Sequence, residues 1–198
     1  MFILYNYNMI TTICLIRHGQ TDWNNQLIIQ GRKNIPLNKT GLTQANETGE
    51  LLKKIDPTWD IIMSSPLDRA ITTASIIKNK INFSKDIIID DRFIEREFGK
   101  AEGMPIEDEI YKRIEDDDVE GLEKGKELED RIYNAVMDTA AKYQGKKIII
   151  ATHSHSIKGL LIRLNIENSY QKAKVLNTAL NYFYIEDGKV IDYKLNIK

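Results

Sequence analysis

Four short runs of β-branched and other apolar residues, at positions 13–16, 61–63, 87–89 and 148–151, alternate with longer segments whose apolar residues recur every three or four places. Runs this short and this uniformly apolar suit strands covered on both faces, and such strands pair in parallel with helices packed above and below. The intervening segments supply the helices. Leu42, Ala45, Gly49 and Leu52 share one face of a segment that begins near Thr40. Ser65 is placed to cap, and Pro66 to open, a second helix that turns Ala70, Ile71, Ala74 and Ile77 inward. Leu128, Ile132, Ala135, Val136, Thr139 and Tyr143 mark a third stripe, and Ile157, Leu160, Leu161 and Leu164 a fourth. Residues 180–185 and 190–195 read as a closing hairpin, because the Asp187-Gly188 between them suits a type I′ turn. The alternation predicts an α/β protein, a three-layer α/β/α sandwich with a mostly parallel central sheet.

The pattern breaks at residues 101–130, where 13 acidic residues face 4 basic ones. This window is expected to be a small helical cap insertion with a solvated acidic face, which would disfavour highly anionic ligands by repulsion. The 198 residues otherwise form a single domain, with no internal repeat and no low-complexity linker. Lys and Arg number 28 against 29 Asp and Glu, a net charge of −1, which argues against nucleic-acid binding and against a polybasic membrane partner. The single cysteine, Cys14, lies inside an apolar strand and is expected to be a small core residue. Residues 1–5 are apolar but lack the basic start and cleavage site of a secretory signal, so the predicted location is cytoplasmic, with Met9 as an alternative start. No apolar run approaches the roughly 20 residues that span a bilayer.

The first apolar run ends in Arg17-His18-Gly19, so the predicted strand delivers an arginine and a histidine to the carboxyl edge of the sheet, where α/β proteins keep their ligand sites. Gly19 would let the chain turn sharply there. The chain has three histidines, His18, His153 and His155, and all lie in two segments that each follow an apolar run. Such concentration points to chemistry.

Residues 15–24, Leu-Ile-Arg-His-Gly-Gln-Thr-Asp-Trp-Asn, resemble the RHG signature of the histidine phosphatase superfamily, also called the phosphoglycerate mutase family. Three further blocks are similar to that family in the same order: Ser-Ser-Pro-Leu-Asp-Arg-Ala at 64–70, Phe-Ile-Glu-Arg-Glu-Phe-Gly at 93–99 and Ala-Thr-His-Ser-His-Ser-Ile-Lys at 151–158. The resemblance spans about residues 12–165 and implies the same sandwich fold. It also implies a phosphoric monoester hydrolase that acts on a small phosphorylated substrate through a phosphohistidine, with no cofactor and no metal.

Phosphoryl transfer needs a nucleophile, cations around the equatorial oxygens and an acid for the leaving alcohol. Neutral His18 is the expected nucleophile, its second ring nitrogen held by a backbone carbonyl. Arg17 and Arg69 would keep it neutral and clamp the phosphate through their forked donors. His153, matching the family's second histidine, would donate to the same phosphate. Asn24 and the backbone N–H groups at the start of the helix after it would add neutral donors. The resemblance further implies Gln30 and Gly31 as pocket rim. Glu95 and Glu97 share a face of an extended segment, so spacing leaves the acid open between them; the resemblance favours Glu95. His153-x-His155 is also readable as half of a metal site, although one cysteine and one further histidine leave few soft ligands.

The chain departs from the family pattern at Ser154 and His155, where glycines are common, at Lys158 for arginine, at Asn34 for aspartate and at Ala101 for tryptophan. These positions are expected to shape the pocket more than the chemistry. Two other functions remain in view: a cofactor-dependent phosphoglycerate mutase, which the short acidic insertion disfavours, and a catalytically idle module that binds a phosphorylated ligand.

Overall fold

A computed structural model describes residues 9–198, so the apolar segment at positions 1–5 lies outside the described residues. Six strands form one sheet: β1 (Thr11–Arg17), β2 (Ile61–Ser64), β3 (Ile88–Ile89), β4 (Lys147–Thr152), β5 (Leu180–Glu186) and β6 (Lys189–Ile197), in the order β3-β2-β4-β1-β5-β6. The first four in that order run parallel, and β5 pairs antiparallel with β1 and β6. Asp187 and Gly188 at the final hairpin both have positive φ, 48° and 72°, as a type I′ turn demands.

The central strands β1 and β4 are apolar along most of their length because both faces are covered. Ile13, Leu15, Ile148 and Ile150 enter one core with Leu128, Ile132, Val136, Ile157 and Leu160 from α5 (Gly125–Lys142) and α6 (Ser154–Arg163). Their neighbours Cys14, Ile16, Ile149 and Ala151 point the other way. They pack with Leu52, Ala70, Ala74 and Ile77 from α2 (Lys39–Ile55) and α3 (Asp68–Lys80). Cys14 is fully buried, and burial pushes its thiol pKa up, so it is an inert core residue as expected.

One buried helix face and one helix boundary differ from the sequence expectation. The buried face of α2 runs through Gly41, Ala45, Thr48, Gly49 and Leu52, while Leu42 is exposed. Helix α2 starts close to the expected Thr40 and is capped by Asn38, whose side chain accepts from the Gly41 N–H, but Gly41 rather than Leu42 takes the inward position, against the Gln20 backbone. Helix α3 begins at Asp68 rather than at Pro66, and Ser65 is not its cap. Gly19 has no positive φ; its need for glycine is contact, since a Cβ there would overlap the Gly41 backbone at the start of α2.

The acidic window folds mostly outside the sheet. A one-turn helix α1 (Asp22–Asn25) follows β1, and α4 (Asp108–Glu115) lies in the cap. Ile110, Ile114, Val119 and Leu122 of this segment bury a small core of their own against Ile29, Phe98 and Ala101. The last residues of the window, from Gly125, are already the first turns of α5. Arg96 is the strut beneath the cap: it is fully buried, and its guanidinium donates to the Glu123 carbonyl at 2.9 Å, the Ile114 carbonyl at 3.4 Å and the Asp117 carboxylate at 2.6 Å. It also lies over the Tyr170 ring at 5.1 Å. Among the described residues, no helix is long and apolar enough to cross a membrane.

Candidate active site

Strands β1, β4 and β2 end side by side, with Arg17 paired to Thr152 and Ser64 paired to Ala151. The next residue of each chain segment is therefore brought to one edge: His18, whose N–H donates to the Thr152 carbonyl, His153, and Ser65, whose N–H donates to the Ala151 carbonyl. The two imidazole centroids are 5.2 Å apart.

His18 is almost fully buried. Its Nδ1 lies 2.7 Å from the Gly19 carbonyl, an acceptor only, so Nδ1 carries the proton and Nε2 the lone pair. Nε2 accepts from Nε of Arg69 at 3.1 Å. Burial first, then the nearby Arg69 and Arg17 charges, hold His18 well below the ordinary histidine pKa, and the ring is neutral. The neutral form is the one that can attack phosphorus.

Arg69 is enclosed, and its fork serves the protein as well as any ligand. Its two terminal nitrogens donate to the Lys33 and Gly31 carbonyls at 2.7 Å each, tying the loop before α2 to the floor of the site. Burial lowers its pKa to about 10, which leaves it cationic at neutral pH. Arg17 donates one terminal N–H to the Val175 carbonyl at 2.8 Å, while its buried Nε has no partner. Gly31 has φ of 52°, and a Cβ there would overlap the Glu102 carboxylate, so glycine is required at this rim.

Glu95 reaches the start of α6. Its carboxylate accepts N–H groups from Arg96 at 2.9 Å, Ser156 at 3.2 Å and His155 at 3.3 Å. The Thr152 and Ser156 hydroxyls donate to the Phe93 and Ile94 carbonyls, pinning the irregular segment that carries it. The helix N–H groups of residues 155 and 156, expected as donors for a phosphate, are thus taken by Glu95. Glu97 points elsewhere, in a half-exposed ion pair with Arg32 at 3.0 Å.

These side chains line a cavity of about 240 Å³. Arg17, His18, Asn24, Gln30, Gly31, Arg69 and Glu95 all contribute to its wall. His153 does not: it is completely enclosed, with Nε2 2.7 Å from the Ser65 hydroxyl and Nδ1 without a partner. Asn24 and Gln30 are positioned through Thr21, whose N–H donates to Asn24 and whose hydroxyl donates to Gln30. The outer wall consists of Ile28, Ile29, Phe98, Ile106, Tyr111 and Ile114, none singled out by the sequence. Only the helical spacing of Ile110, Tyr111 and Ile114 within the acidic window carried a signal for them.

Of the departures from the family pattern, Ser154, His155 and Lys158 line the cavity, whereas Asn34 binds both the N–H and the carboxylate of Asp68 at the start of α3. Ala101 belongs to the cap core. His155 lies on α6 rather than on a strand, so it does not share a strand face with His153. It contacts the Tyr111 hydroxyl at 3.2 Å and stacks on Tyr170. Lys158 donates to the Tyr170 carbonyl at 2.5 Å and to the Tyr111 hydroxyl at 3.2 Å, and burial lowers its pKa to about 8. No group of three or more potential metal-binding side chains occurs among the described residues.

Residues 13–197 match the family described as histidine phosphatase superfamily (branch 1). The chain is 40% identical over 190 residues to the uncharacterized phosphatase PhoE of Bacillus subtilis, covering 94% of this chain and 96% of the relative. It is 32% identical to the metal-independent phosphoserine phosphatase of Arabidopsis thaliana, over 92% of this chain and 79% of the relative. Among solved structures, phosphoserine phosphatase from Entamoeba histolytica in complex with 3-phosphoglyceric acid is similar, with a TM-score of 0.79, 27% identity and coverage of 95% of this chain and 98% of that one.

Proposed function

The chain belongs to branch 1 of the histidine phosphatase superfamily and is a phosphatase-type enzyme of that family, and from that premise we propose that it hydrolyses a small phosphomonoester through phosphorylated His18 without a metal. The observation that carries this is the state of His18: a neutral imidazole whose Nδ1–H is committed to a carbonyl and whose Nε2, the atom with the lone pair, accepts an N–H from Arg69 in the wall of a cavity that Arg17 also lines.

In the first step Nε2 gives up the Arg69 N–H and bonds to phosphorus as the bond to the ester oxygen breaks, and Glu95, entering in its carboxylic acid form, gives that oxygen a proton. In the second, Glu95 takes a proton from water, the water oxygen bonds to phosphorus and the N–P bond breaks, restoring neutral His18. Arg17 and Arg69 stabilise the charge on the equatorial oxygens, with Asn24, Gln30 and the Gly31 loop shaping the rim. His153 is enclosed behind this wall, its ring 5.2 Å from that of His18 and one ring nitrogen unpaired. The cavity's volume suits a small metabolite, and the Arabidopsis relative's description as metal-independent supports the same reading for this chain.

The test is p-nitrophenyl phosphate hydrolysis with and without chelator, together with an acid quench of enzyme turning over a ³²P-labelled ester. Wild type is expected to be active with chelator present and to carry acid-labile label, and His18→Ala to lose both. Label surviving in His18→Ala would overturn the assignment. Bisphosphoglycerate-dependent interconversion of 3- and 2-phosphoglycerate faster than hydrolysis would make the chain a mutase. Tight vanadate binding with no turnover would make it an idle phospholigand-binding module.

A further inference from the structure

Ser65 has no part in the chemistry above, yet β2 sets it against the enclosed face of His153. Both residues are completely buried. We propose that Ser65 is a positioning residue that holds His153 in its Nδ1–H tautomer, so that this ring offers a committed donor to a phosphoryl oxygen. The tautomer follows from the free protein alone; what the donor meets rests on the phosphotransfer reading.

The assignment comes from counting protons. The Ser65 oxygen receives the Leu67 N–H at 3.3 Å and lies 2.7 Å from Nε2 of His153. A hydroxyl has one hydrogen. If it points at Nε2, the hydroxyl both donates and accepts, Nε2 is satisfied, and the single unmet group is an N–H at Nδ1, the atom found without a partner. If instead Nε2 carried the proton, the oxygen would receive two donors. The hydroxyl hydrogen would then have no acceptor and Nδ1 would present a bare lone pair, which repels an oxyanion. One unmet donor on a ring 5.2 Å from that of His18 is relieved when a phosphoryl oxygen reaches it; a misdirected lone pair is not. The arrangement is stiff because Ser65 and His153 each lie one residue beyond paired strands, with Ser65 N–H bound to the Ala151 carbonyl at 3.0 Å. Burial and the Arg69 charge keep the ring neutral, so tautomer rather than protonation is what remains to be set.

Long-range ¹H–¹⁵N imidazole correlation spectra of the untagged, uniformly labelled chain test this, since it has only three histidines and His153→Gln identifies the signal. The expected wild-type spectrum shows His153 protonated at Nδ1 and bare at Nε2. Ser65→Ala should give a mixture of tautomers and weaken vanadate binding and kcat/KM by about tenfold, the equivalent of one hydrogen bond. Ser65→Thr, which keeps the hydroxyl, should restore both. A protonated Nε2 on wild-type His153 overturns the proposal, as does Ser65→Ala with unchanged tautomer or unchanged vanadate affinity. The wild-type spectrum needs no variant to fold. A chain that turned over no phosphomonoester but showed the expected tautomer would refute the hydrolase reading and not this one.

Discussion

Replacing Arg96 by Met removes the strut between the body and the cap while keeping most of its volume. Three acceptors lose a charged donor: the Glu123 and Ile114 carbonyls and the Asp117 carboxylate. Breaking a buried pair in this way costs about 3–5 kcal/mol. The lower end applies here because the Asp117 side chain is 32% exposed, so it can take up water, and it keeps the Gly125 N–H as a donor. About 3 kcal/mol in a domain of this size lowers Tm by roughly 6–12 °C. The loss should also be local: amide hydrogen exchange should accelerate across residues 108–124 before the sheet is affected. Scanning calorimetry and exchange mass spectrometry measure both. A Tm shift below about 2 °C, or exchange that rises equally in β1 and β4, would show that the cap does not hang on Arg96.

The two acidic candidates separate cleanly by mutation. Glu95→Gln should lower kcat for p-nitrophenyl phosphate by about 10²-fold or more while vanadate still binds, whereas Glu97→Gln, which removes only a half-exposed ion pair, should stay within about threefold of wild type; the reverse ranking would move the acid to Glu97. Acid should unfold the protein earlier than its carboxylates alone require. His18, His153 and His155 are all held well below the ordinary histidine pKa by burial, so the unfolded chain takes up three protons near pH 6.5 that the native state refuses. Stability is therefore full above that pH and falls below it, approaching about 4 kcal/mol per pH unit. Urea midpoints equal at pH 7.5 and 5.5 would contradict the neutral, buried state of these rings.

The sheet and the reactive edge were legible because their signals are local. A run such as Ile148-Ile149-Ile150 is too uniformly apolar for anything but a doubly covered strand, and Arg17-His18 sits directly after another. The resemblance then brought Arg69, Glu95 and His153 to the same place. What remained hidden depends on contacts distant in sequence. Ser65 before Pro66 has the local look of a helix cap, but His153, 88 residues on, claims its hydroxyl. Arg96, flanked by two glutamates, looks solvated and is among the most deeply buried side chains. The outer wall of the cavity was hidden by charge: Tyr111 and Ile114 face inward from a helix whose other positions are mostly acidic or basic. Leu42 was misplaced because Gly41, packed against the Gln20 backbone, takes the inward position at the start of α2.

The 5.2 Å between the two imidazoles is inherited from main-chain pairing, since each ring stands one step past Arg17 and Thr152 on adjoining strands. That separation is close to the 4.7–4.9 Å pitch of any β ladder. The distance between the proposed nucleophile, His18, and His153 is thus guarded by paired strands at the centre of the sheet. Much of the cavity's outer wall belongs instead to an appendage with its own small hydrophobic nucleus. A change of length or charge in that appendage leaves the spacing of the two rings untouched.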